Sequence, residues 1–313
     1  IMFSIKIIKI FLYRFFFKDY QNRKLFMIGQ SHILNMRKNY KNVKSLNDVD
    51  FKVFSQNGED GILDYLLFKL NIEKPKFLEI GVGDYSEANT RFIFDRCSPK
   101  GKIIDCIENF EKKVKKNIKL WRGELKIIKK NIDTNNINDV VENKKIFSNL
   151  DLFSLDIDGI DYWVLDKLPK KFSKIAVLEF NPIFGSKFKV SVPNINNFNR
   201  KEYHYSSLCF GMSLMALIDL MEKKDFYFLG TNLFKNNAFF VSNEYSKETY
   251  FQNLTTENIN NHVMANFTES RDPKGNLNYL VGEKKLTEIK DCKLIDLENN
   301  REKKIREIYN FDK

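Results

Sequence analysis

A glycine turn that follows a short apolar segment has the residue types that bring a polypeptide backbone close to a ligand. The segment Phe77–Asp84 reads FLEIGVGD, which is typical of a buried strand that runs into a Gly-x-Gly turn. Glycines allow the sharp bend and the close approach of a ligand to the main chain. A dinucleotide fingerprint would place its third glycine at position 86, which is Ser86, so the turn disfavours NAD.

Two carboxylates flank this turn. Glu79 lies two residues before Gly81, and the next predicted strand ends in Glu108. A carboxylate before the turn suits an ammonium group, and a carboxylate at the end of the second strand can accept hydrogen bonds from both hydroxyls of a ribose. A cationic amino-acid nucleoside such as S-adenosylmethionine needs this combination. The alternative is an ordinary strand, turn and helix with incidental acids.

More polar side chains follow the fourth and fifth predicted strands. The run that contains Asp156, Asp158 and Asp161 closes one strand, and Glu179 and Asn181 end the next. We expect Asp156 or Asp158 to contact the cofactor or the substrate, and Asp158 is a candidate catalytic residue. A divalent cation such as Mg²⁺, held by Asp158, Glu179 and Asn181, would have the oxygen ligands it prefers. The alternative role of these side chains is hydrogen bonding to substrate hydroxyls.

A histidine lies in the segment that is expected to cover the pocket. His204 stands between the fifth strand and a long predicted helix. Because histidine ordinarily titrates near neutral pH, His204 is a candidate base for removing a proton from a hydroxyl. The alternative is a histidine in a surface loop. Aromatic residues nearby form either an acceptor wall or plain packing: Phe184, Phe188, Phe198, Tyr203 and Tyr205.

The elements that must position these residues alternate between helices and short strands. Residues 58–70 and 207–224 have the three- and four-residue apolar spacing of amphipathic helices. Residues 226–229 and 238–241 are close enough to form an antiparallel hairpin. Short apolar segments with helical connections predict a mostly parallel sheet, covered on both faces, in a doubly wound α/β fold: 76–80, 102–107, 125–128, 152–157 and 174–180.

The chain divides into three predicted regions, residues 1–50, 51–243 and 244–313. Residues 1–17 (IMFSIKIIKIFLYRFFF) place three basic residues on one half of a helix, so residues 1–18 are predicted to contact a membrane surface, or to pack on the main domain or a second subunit. A second helix is expected near residues 30–41. Residues 244–313 are polar and are expected to form a loosely packed extension with one or two helices.

Composition excludes several classes of protein. The 313 residues carry a formal net charge of +11, but the surplus is scattered lysine, so we do not expect nucleic-acid binding. Four cysteines without a C-x-x-C pair, and three histidines, predict neither a disulfide framework nor a zinc site. We expect buried thiols in a reducing compartment, the cytoplasm, with possible contact at the inner face of the membrane.

The order of these motifs resembles that of class I S-adenosylmethionine-dependent methyltransferases, and most of all the FkbM-type group. The segments that carry the resemblance span residues 51–243: Phe54–Gly61, Phe77–Asp84 with Glu87, Asn89 and Thr90, Leu155–Tyr162, Val177–Pro182 and Asn237–Val241. The resemblance implies a Rossmann-like, seven-stranded sheet with one antiparallel strand. It also implies a cofactor at the carboxyl ends of the strands, held by Glu79, Gly81, Gly83, Asp84, Asn89, Glu108 and Asp156, with Asp133 near the adenine.

Three functions are consistent with these observations. The leading one is O-methylation of a hydroxyl on a sugar, glycolipid or secondary metabolite, with S-adenosylmethionine as donor. The second is a metal-dependent glycosyltransferase, because Asp156-Ile157-Asp158 has the D-x-D form that holds a metal and a nucleotide sugar. The third is a non-catalytic adaptor at a membrane surface. The acceptor and the oligomeric state do not follow from the sequence.

Overall fold

The computed structural model describes residues 2–141, 150–254, 258–263 and 267–311, with side chains from residue 19 onward. The chain divides into two compact units, with the boundary between Asn42 and Val43. The first unit contains helix α1 (Met2–Arg37), followed by a short 3₁₀ turn. Residues 30–37 of the helix expected near residues 30–41 are helical, but they are the last turns of α1 and not a separate helix. No helix among the described residues has the length and apolar composition that crossing a bilayer requires.

The second unit is built on a seven-stranded sheet. Its strand order is β3-β2-β1-β4-β5-β8-β7, and β8 alone among them runs antiparallel to both of its neighbours. The predicted doubly wound α/β fold with a terminal hairpin is therefore confirmed. The strands are β1 (Lys76–Ile80), β2 (Lys100–Asp105), β3 (Glu124–Lys129), β4 (Leu150–Leu155), β5 (Ser173–Glu179), β7 (Phe226–Thr231) and β8 (Asn237–Ser242).

Helices cover both faces of this sheet. Strands β4 and β8 are buried along their whole length, so both of their faces are covered. Strand β3 lies at the edge and is only partly covered. The helices of this part of the chain are α2 (Glu59–Lys69), α3 (Arg91–Cys97), α4 (Phe110–Asn117), α5 (Ile137–Val141), α6 (Asp161–Asp166), α7 (Arg200–Tyr203) and α8 (Leu214–Lys223).

Two strands end earlier than the sequence predicts, and an aspartate causes each ending. The Asp105 carboxylate accepts a hydrogen bond from the Ile107 N–H (2.9 Å), so the chain leaves the sheet after β2 although apolar residues continue. After β4, the Asp161 carboxylate accepts hydrogen bonds from the N–H groups of Ile157 and Gly159 (both 2.9 Å) and bends the chain away. Helix α8 also begins later than predicted, with Ser213 as its cap.

The C-terminal residues form a second, smaller sheet. Strands β6 (Val190–Ser191), β9 (Lys293–Asp296) and β10 (Arg301–Lys304) pair antiparallel in the order β10-β9-β6. Three short helices accompany them: α9 (Thr249–Gln252), α10 (Glu283–Glu288) and α11 (Ile305–Tyr309). The expected loose packing was wrong, because buried side chains of this region share a core with residues that precede β7: Phe184, Val190, Cys209, Ile289, Leu294 and Ile305.

Candidate functional site

A cleft of three adjoining cavities lies at the carboxyl ends of β1, β2, β4 and β5. The glycine cavity, about 220 Å³, is lined by the turn after β1 together with Gln56 and Asn237. The β2 cavity, about 350 Å³, extends over the end of β2 toward Lys130 and Phe198. The β5 cavity, about 160 Å³, lies over Glu179 and Phe210. Asp156 lines all three, because β1 and β4 meet at the point where the strand order reverses, which is where open α/β sheets bind ligands.

The glycine turn is held against β4 by close backbone packing. A Cβ atom on Gly81 would lie 1.5 Å from the Asp156 carbonyl oxygen, and the Gly81 φ of +81° favours glycine as well. Gly83 differs, because a Cβ there would meet no atom within 4 Å. The glycine at 81 therefore permits the contact of β1 with β4, whereas the glycine at 83 leaves room at the mouth of the cleft.

Glu79 is buried beside this turn and holds the beginning of α3. Its carboxylate accepts hydrogen bonds from the N–H groups of Asn89 (2.8 Å) and Thr90 (2.9 Å), and from the Thr90 hydroxyl. Burial raises the pKa of Glu79 to about 7. Glu79 also lines the glycine cavity, so the carboxylate that the sequence assigns to a ligand fixes local structure as well.

Asp84 and Asn89 line the same cavity, as the sequence suggests. The Asp84 carboxylate accepts a hydrogen bond from the Ser86 N–H (3.0 Å), and the Asp84 carbonyl accepts one from the Asn117 amide (2.8 Å). The Asn89 amide donates to the Ser154 hydroxyl (3.1 Å). Both side chains therefore stabilise the wall of the glycine cavity.

Asp105, rather than Glu108, is the acid at the end of β2. Its Oδ2 accepts a hydrogen bond from the Gly83 N–H (2.7 Å), and it lines the β2 cavity. Glu108 is exposed and lines none of the three cavities, because the strand ends earlier than predicted. Asp133 is also outside them, since its carboxylate accepts hydrogen bonds from the N–H groups of Asn135 (2.8 Å) and Asn136 (3.1 Å). The three residues that precede Asp133 line the β2 cavity instead: Lys130, Asn131 and Ile132.

Three carboxylates meet where the cavities join. One oxygen each of Asp156, Asp158 and Glu179 lies within 4.8 Å of the others. Burial, and then the charge of Asp158, raise the pKa of Asp156 to about 8. Burial and Asp156 raise the pKa of Glu179 well above its ordinary value, and the two side chains hydrogen bond to each other. The Asp156–Glu179 pair therefore retains a proton at neutral pH. Asp158 is paired with the Arg200 guanidinium (2.6 Å).

Of the predicted metal ligands, Asp158 and Glu179 lie in the carboxylate cluster with Asp156, whereas Asn181 is not available to a cation. The Asn181 amide donates to the carbonyls of Leu208 (2.9 Å) and Phe210 (3.0 Å), and its Oδ1 accepts from the Ile183 N–H (3.1 Å). Asn181 is fully buried and its polar atoms are all engaged, so its prediction as a ligand was wrong. Asp158 is engaged by the Arg200 guanidinium (2.6 Å), which a cation bound to Asp158 would have to displace.

His204 does not reach the cleft. Its ring lies against Tyr205 (4.2 Å between centroids), and its Nδ1 is 2.7 Å from the Ser206 hydroxyl. It lines none of the three cavities, so the structure does not support its catalytic role. The same segment instead contributes Ser207 and Phe210 to the β5 cavity. Of the predicted aromatic wall, Phe198 lines the β2 cavity; phenylalanines that the sequence did not single out line the β5 cavity: Phe180, Phe210, Phe234 and Phe267.

A loop before α2 supplies residues that sequence reasoning did not assign. The Asp60 Oδ2 accepts hydrogen bonds from three successive N–H groups, those of residues 53, 54 and 55 (2.7, 2.6 and 2.9 Å). Glu59 accepts hydrogen bonds from the amides of Asn232 (2.8 Å) and Asn237 (2.7 Å) on the β7–β8 hairpin. These contacts place Gln56 at both the glycine cavity and the β5 cavity. The sequence indication of this loop was the motif at residues 54–61, which contributes to the family resemblance but to which the sequence analysis assigned no role.

Two buried polar atoms at the cleft have no hydrogen-bond partner among the described residues. One is Oδ1 of Asn237, a residue of β8 that is 4% exposed and lines the glycine cavity. The other is Oγ of Ser207, which is 6% exposed and lines the β5 cavity. Because buried polar atoms are rarely left unpaired, both are candidates for contact with a ligand.

No protein-family model matches the chain, and no curated protein matches it. Among solved structures it is similar to the pyocyanin biosynthetic protein PhzM, with 12% identity and a TM-score of 0.35 over 56% of this chain and 53% of that one, so the match spans about half of PhzM. It is similar to an S-adenosylmethionine-dependent methyltransferase from Clostridium acetobutylicum, with 7% identity and a TM-score of 0.37 over 59% of this chain and 90% of that one. It is also similar to the N-terminal domain of EvdMO1, solved in the presence of SAH and D-fucose, with 10% identity and a TM-score of 0.34 over 57% and 79% of the two chains. Similarities this low do not assign an activity, and the fold is defined by the strand order itself.

Proposed function

We propose that this protein is an S-adenosylmethionine-dependent methyltransferase of the FkbM type. The observation that supports it most directly is the packing of Gly81 on the Asp156 carbonyl at the β1–β4 switch point. That contact leaves a cleft with Glu79, Asp105 and Asp156 around a turn that carries no bulky side chain. Acids around an open glycine turn suit a cationic nucleoside that carries an amino acid.

In this proposal the methyl donor occupies two of the cavities, with its nucleoside in the β2 cavity and its amino-acid portion in the glycine cavity. In the β2 cavity Asp105 is placed to accept hydrogen bonds from the ribose hydroxyls, and Phe198 offers an apolar surface for the base. In the glycine cavity Glu79 and the unpaired Oδ1 of Asn237 are acceptors for the ammonium group. Asp156, common to both cavities, is the carboxylate placed for the sulfonium charge.

The acceptor hydroxyl belongs in the β5 cavity, beside the Asp156–Glu179 pair. Bound S-adenosylmethionine supplies the methyl group: the acceptor oxygen forms a bond to the methyl carbon as the carbon–sulfur bond breaks, and the electron pair of that bond stays on sulfur. Asp156, when ionised, takes the proton of the hydroxyl, so that the products are a methyl ether, S-adenosylhomocysteine and a proton. Asp158 orients Arg200 at the rim (2.6 Å). The mixed polar and aromatic lining suits a sugar, glycolipid or related hydroxylated acceptor.

Calorimetric titration with S-adenosylhomocysteine tests this proposal. We expect stoichiometric binding to the wild type and an affinity about tenfold lower in Asp105→Ala, because a charged hydrogen-bond acceptor is lost. Glu108→Ala is the matched control, since Glu108 is an exposed acid outside the cleft. Absence of heat with folded protein at millimolar ligand would refute the proposal. If Glu108→Ala alone lowered the affinity for S-adenosylhomocysteine, Glu108 and not Asp105 would be the residue that binds the ribose.

The structure bears differently on the two other candidate functions, a glycosyltransferase and a membrane-surface adaptor. A metal-dependent glycosyltransferase needs Asp158 as a ligand, and that carboxylate is paired with Arg200. Attachment to a membrane has one observation in its favour, the exposed apolar side chains on the described part of α1: Tyr20, Leu25, Met27, Ile28 and Leu34. Residues 1–18 lie outside the described side chains. If they anchor the protein peripherally, their deletion should abolish co-sedimentation with anionic vesicles, and unchanged binding would exclude the anchor.

A further inference from the structure

We propose that the β5 cavity takes an acceptor of the amino-sugar class, a hydroxylated ring that carries a protonated amine. The inference rests on the proposed function, because it treats this cavity as the place of the methyl acceptor. It goes further in naming the charge of the acceptor. Three properties of the cavity lead to it: its excess of carboxylates, an unpaired hydroxyl, and an apolar wall beside polar groups.

The charge in the β5 cavity is opposite to that of the whole chain. Four carboxyl groups line it, and Arg200 is the basic side chain that lines it, in a chain with a net charge of +11. Arg200 is committed to Asp158 at 2.6 Å. Glu269 has a longer contact, 3.4 Å, with Arg271. Concentrated negative charge of this kind attracts a cation into the cavity.

Asp156 and Glu179 have no ion pair among the described residues, although both line this cavity. The donor sulfonium accounts for one compensating charge, next to Asp156, which all three cavities share. Of the three cavities, Glu179 lines only the β5 cavity. The sulfonium group of the donor, which is assigned to the other two cavities, is therefore farther from Glu179 than from Asp156. The partner of Glu179 among the described residues is the carboxyl group of Asp156, and an ammonium group on the acceptor would donate charged hydrogen bonds to Glu179.

Ser207 is an independent indication that a polar ligand enters. Its residue is 6% exposed, its backbone has a φ of +60°, and its Oγ has no partner among the described residues. A ligand hydroxyl would satisfy this atom. The phenylalanines of the cavity meanwhile provide apolar surface for the C–H face of a ring, so the lining matches a sugar better than a linear amine.

The test compares two sugars that differ only in charge at one position. D-glucosamine and D-glucose are titrated against the protein saturated with S-adenosylhomocysteine. We expect glucosamine to bind about tenfold more tightly than glucose, the size expected for one charged hydrogen bond. In Glu179→Gln the preference should fall to about twofold or less. Equal binding, failure of both sugars to bind, or an unchanged preference in Glu179→Gln would each overturn the inference.

Two further variants keep the test informative. Ser207→Ala should weaken both sugars without lowering the unfolding midpoint, because its hydroxyl has no partner in the protein to lose. Glu298→Gln, an exposed acid in the β9–β10 turn, is the matched control and should leave the preference intact. If S-adenosylhomocysteine does not bind, the proposed function fails, and the sugars are compared in its absence. If it binds and the preference is missing, only this inference fails.

Discussion

The side-chain oxygen of Asn237, Oδ1, is buried at the glycine cavity without a partner among the described residues. The side-chain nitrogen of Asn237 donates a hydrogen bond to the Glu59 carboxylate (2.7 Å). If this oxygen accepts from the donor's ammonium group, Asn237→Ala should lower the affinity for S-adenosylhomocysteine about tenfold. Affinity for 5′-methylthioadenosine, which lacks the amino-acid portion, should not change. Calorimetry with both ligands checks the difference. Asn243→Ala, which changes an amide outside the cleft, is the control, and an equal loss for both ligands would assign Asn237 a purely structural role.

Asp156 should destabilise the folded protein at high pH. Its pKa is raised to about 8, chiefly by burial, so folding favours its protonated form. Its contribution to stability is therefore greatest below the ordinary pKa of 3.8 and is lost as the pH rises through about 8. Asp156→Asn should raise the free energy of unfolding at alkaline pH by about 1 kcal/mol or more.

Denaturant unfolding across a pH series measures this effect. The advantage of Asp156→Asn should shrink toward zero as the pH falls below 3.8, where the carboxyl is protonated in both the folded and the unfolded state. Asp139→Asn, an exposed acid, should run parallel to the wild type. A variant that is less stable than the wild type at alkaline pH would show that the ionised carboxylate is stabilised by its surroundings.

The loop before α2 depends on one carboxylate oxygen. Asp60 Oδ2 accepts three backbone N–H groups, whereas Oδ1 is buried without a partner. Asp60→Ala leaves the three donors unpaired and should cost about 3 kcal/mol or more. Asp60→Asn is the matched control: its amide oxygen can replace Oδ2, so we expect a much smaller loss. Chemical denaturation measures both, and an equal loss in the two variants would contradict this reading of the loop.

At the level of elements, the sequence was sufficient for the strands of the large sheet and their succession along the chain, but not for the ends of those strands. The apolar stretch at residues 175–178 of β5, for example, indicates a buried strand because no polar residue interrupts it. The end of β2 is set by the bond from the Ile107 N–H to Asp105, and apolar residues continue past it. Strands β9 and β10 (KLID and REKK) are short and charged, so composition hides them. Strand β9 also pairs with β6, a segment about one hundred residues earlier that the sequence analysis did not identify as a strand.

The sequence predicts site residues that directly follow a strand, but not those that reach the cleft through contacts between distant segments. Gly81 and Asp156 follow directly from strands, and their positions were found. Gln56 and Asn237 reach the cleft only through contacts between the loop before α2 and the β7–β8 hairpin, which no local pattern reports. His204 has suitable chemistry, but its place in the chain does not reveal that its ring packs on Tyr205.

For the second unit as a whole, the small sheet is part of the folded body. Leu294 of β9 is completely buried in the core that contains Phe184 and Cys209. Leu294→Ala should lower the free energy of unfolding by about 3 kcal/mol, as cavity-forming changes in cores do. Leu277→Ala, at an exposed position, should change it by about 0.5 kcal/mol or less. If Leu294→Ala behaved like Leu277→Ala in equilibrium unfolding, the small sheet would be a separate, weakly attached element.

Because Asp156 forms a wall of every compartment of the cleft, the compartments are electrically linked. A cation that enters any one of them favours the ionised form of Asp156, and the proton shared with Glu179 is then shed into the buffer. Heats of binding should consequently differ between buffers of unlike protonation enthalpy. Once the first ligand has expelled that proton, the second no longer can, so donor and acceptor each set the pH at which the other binds best.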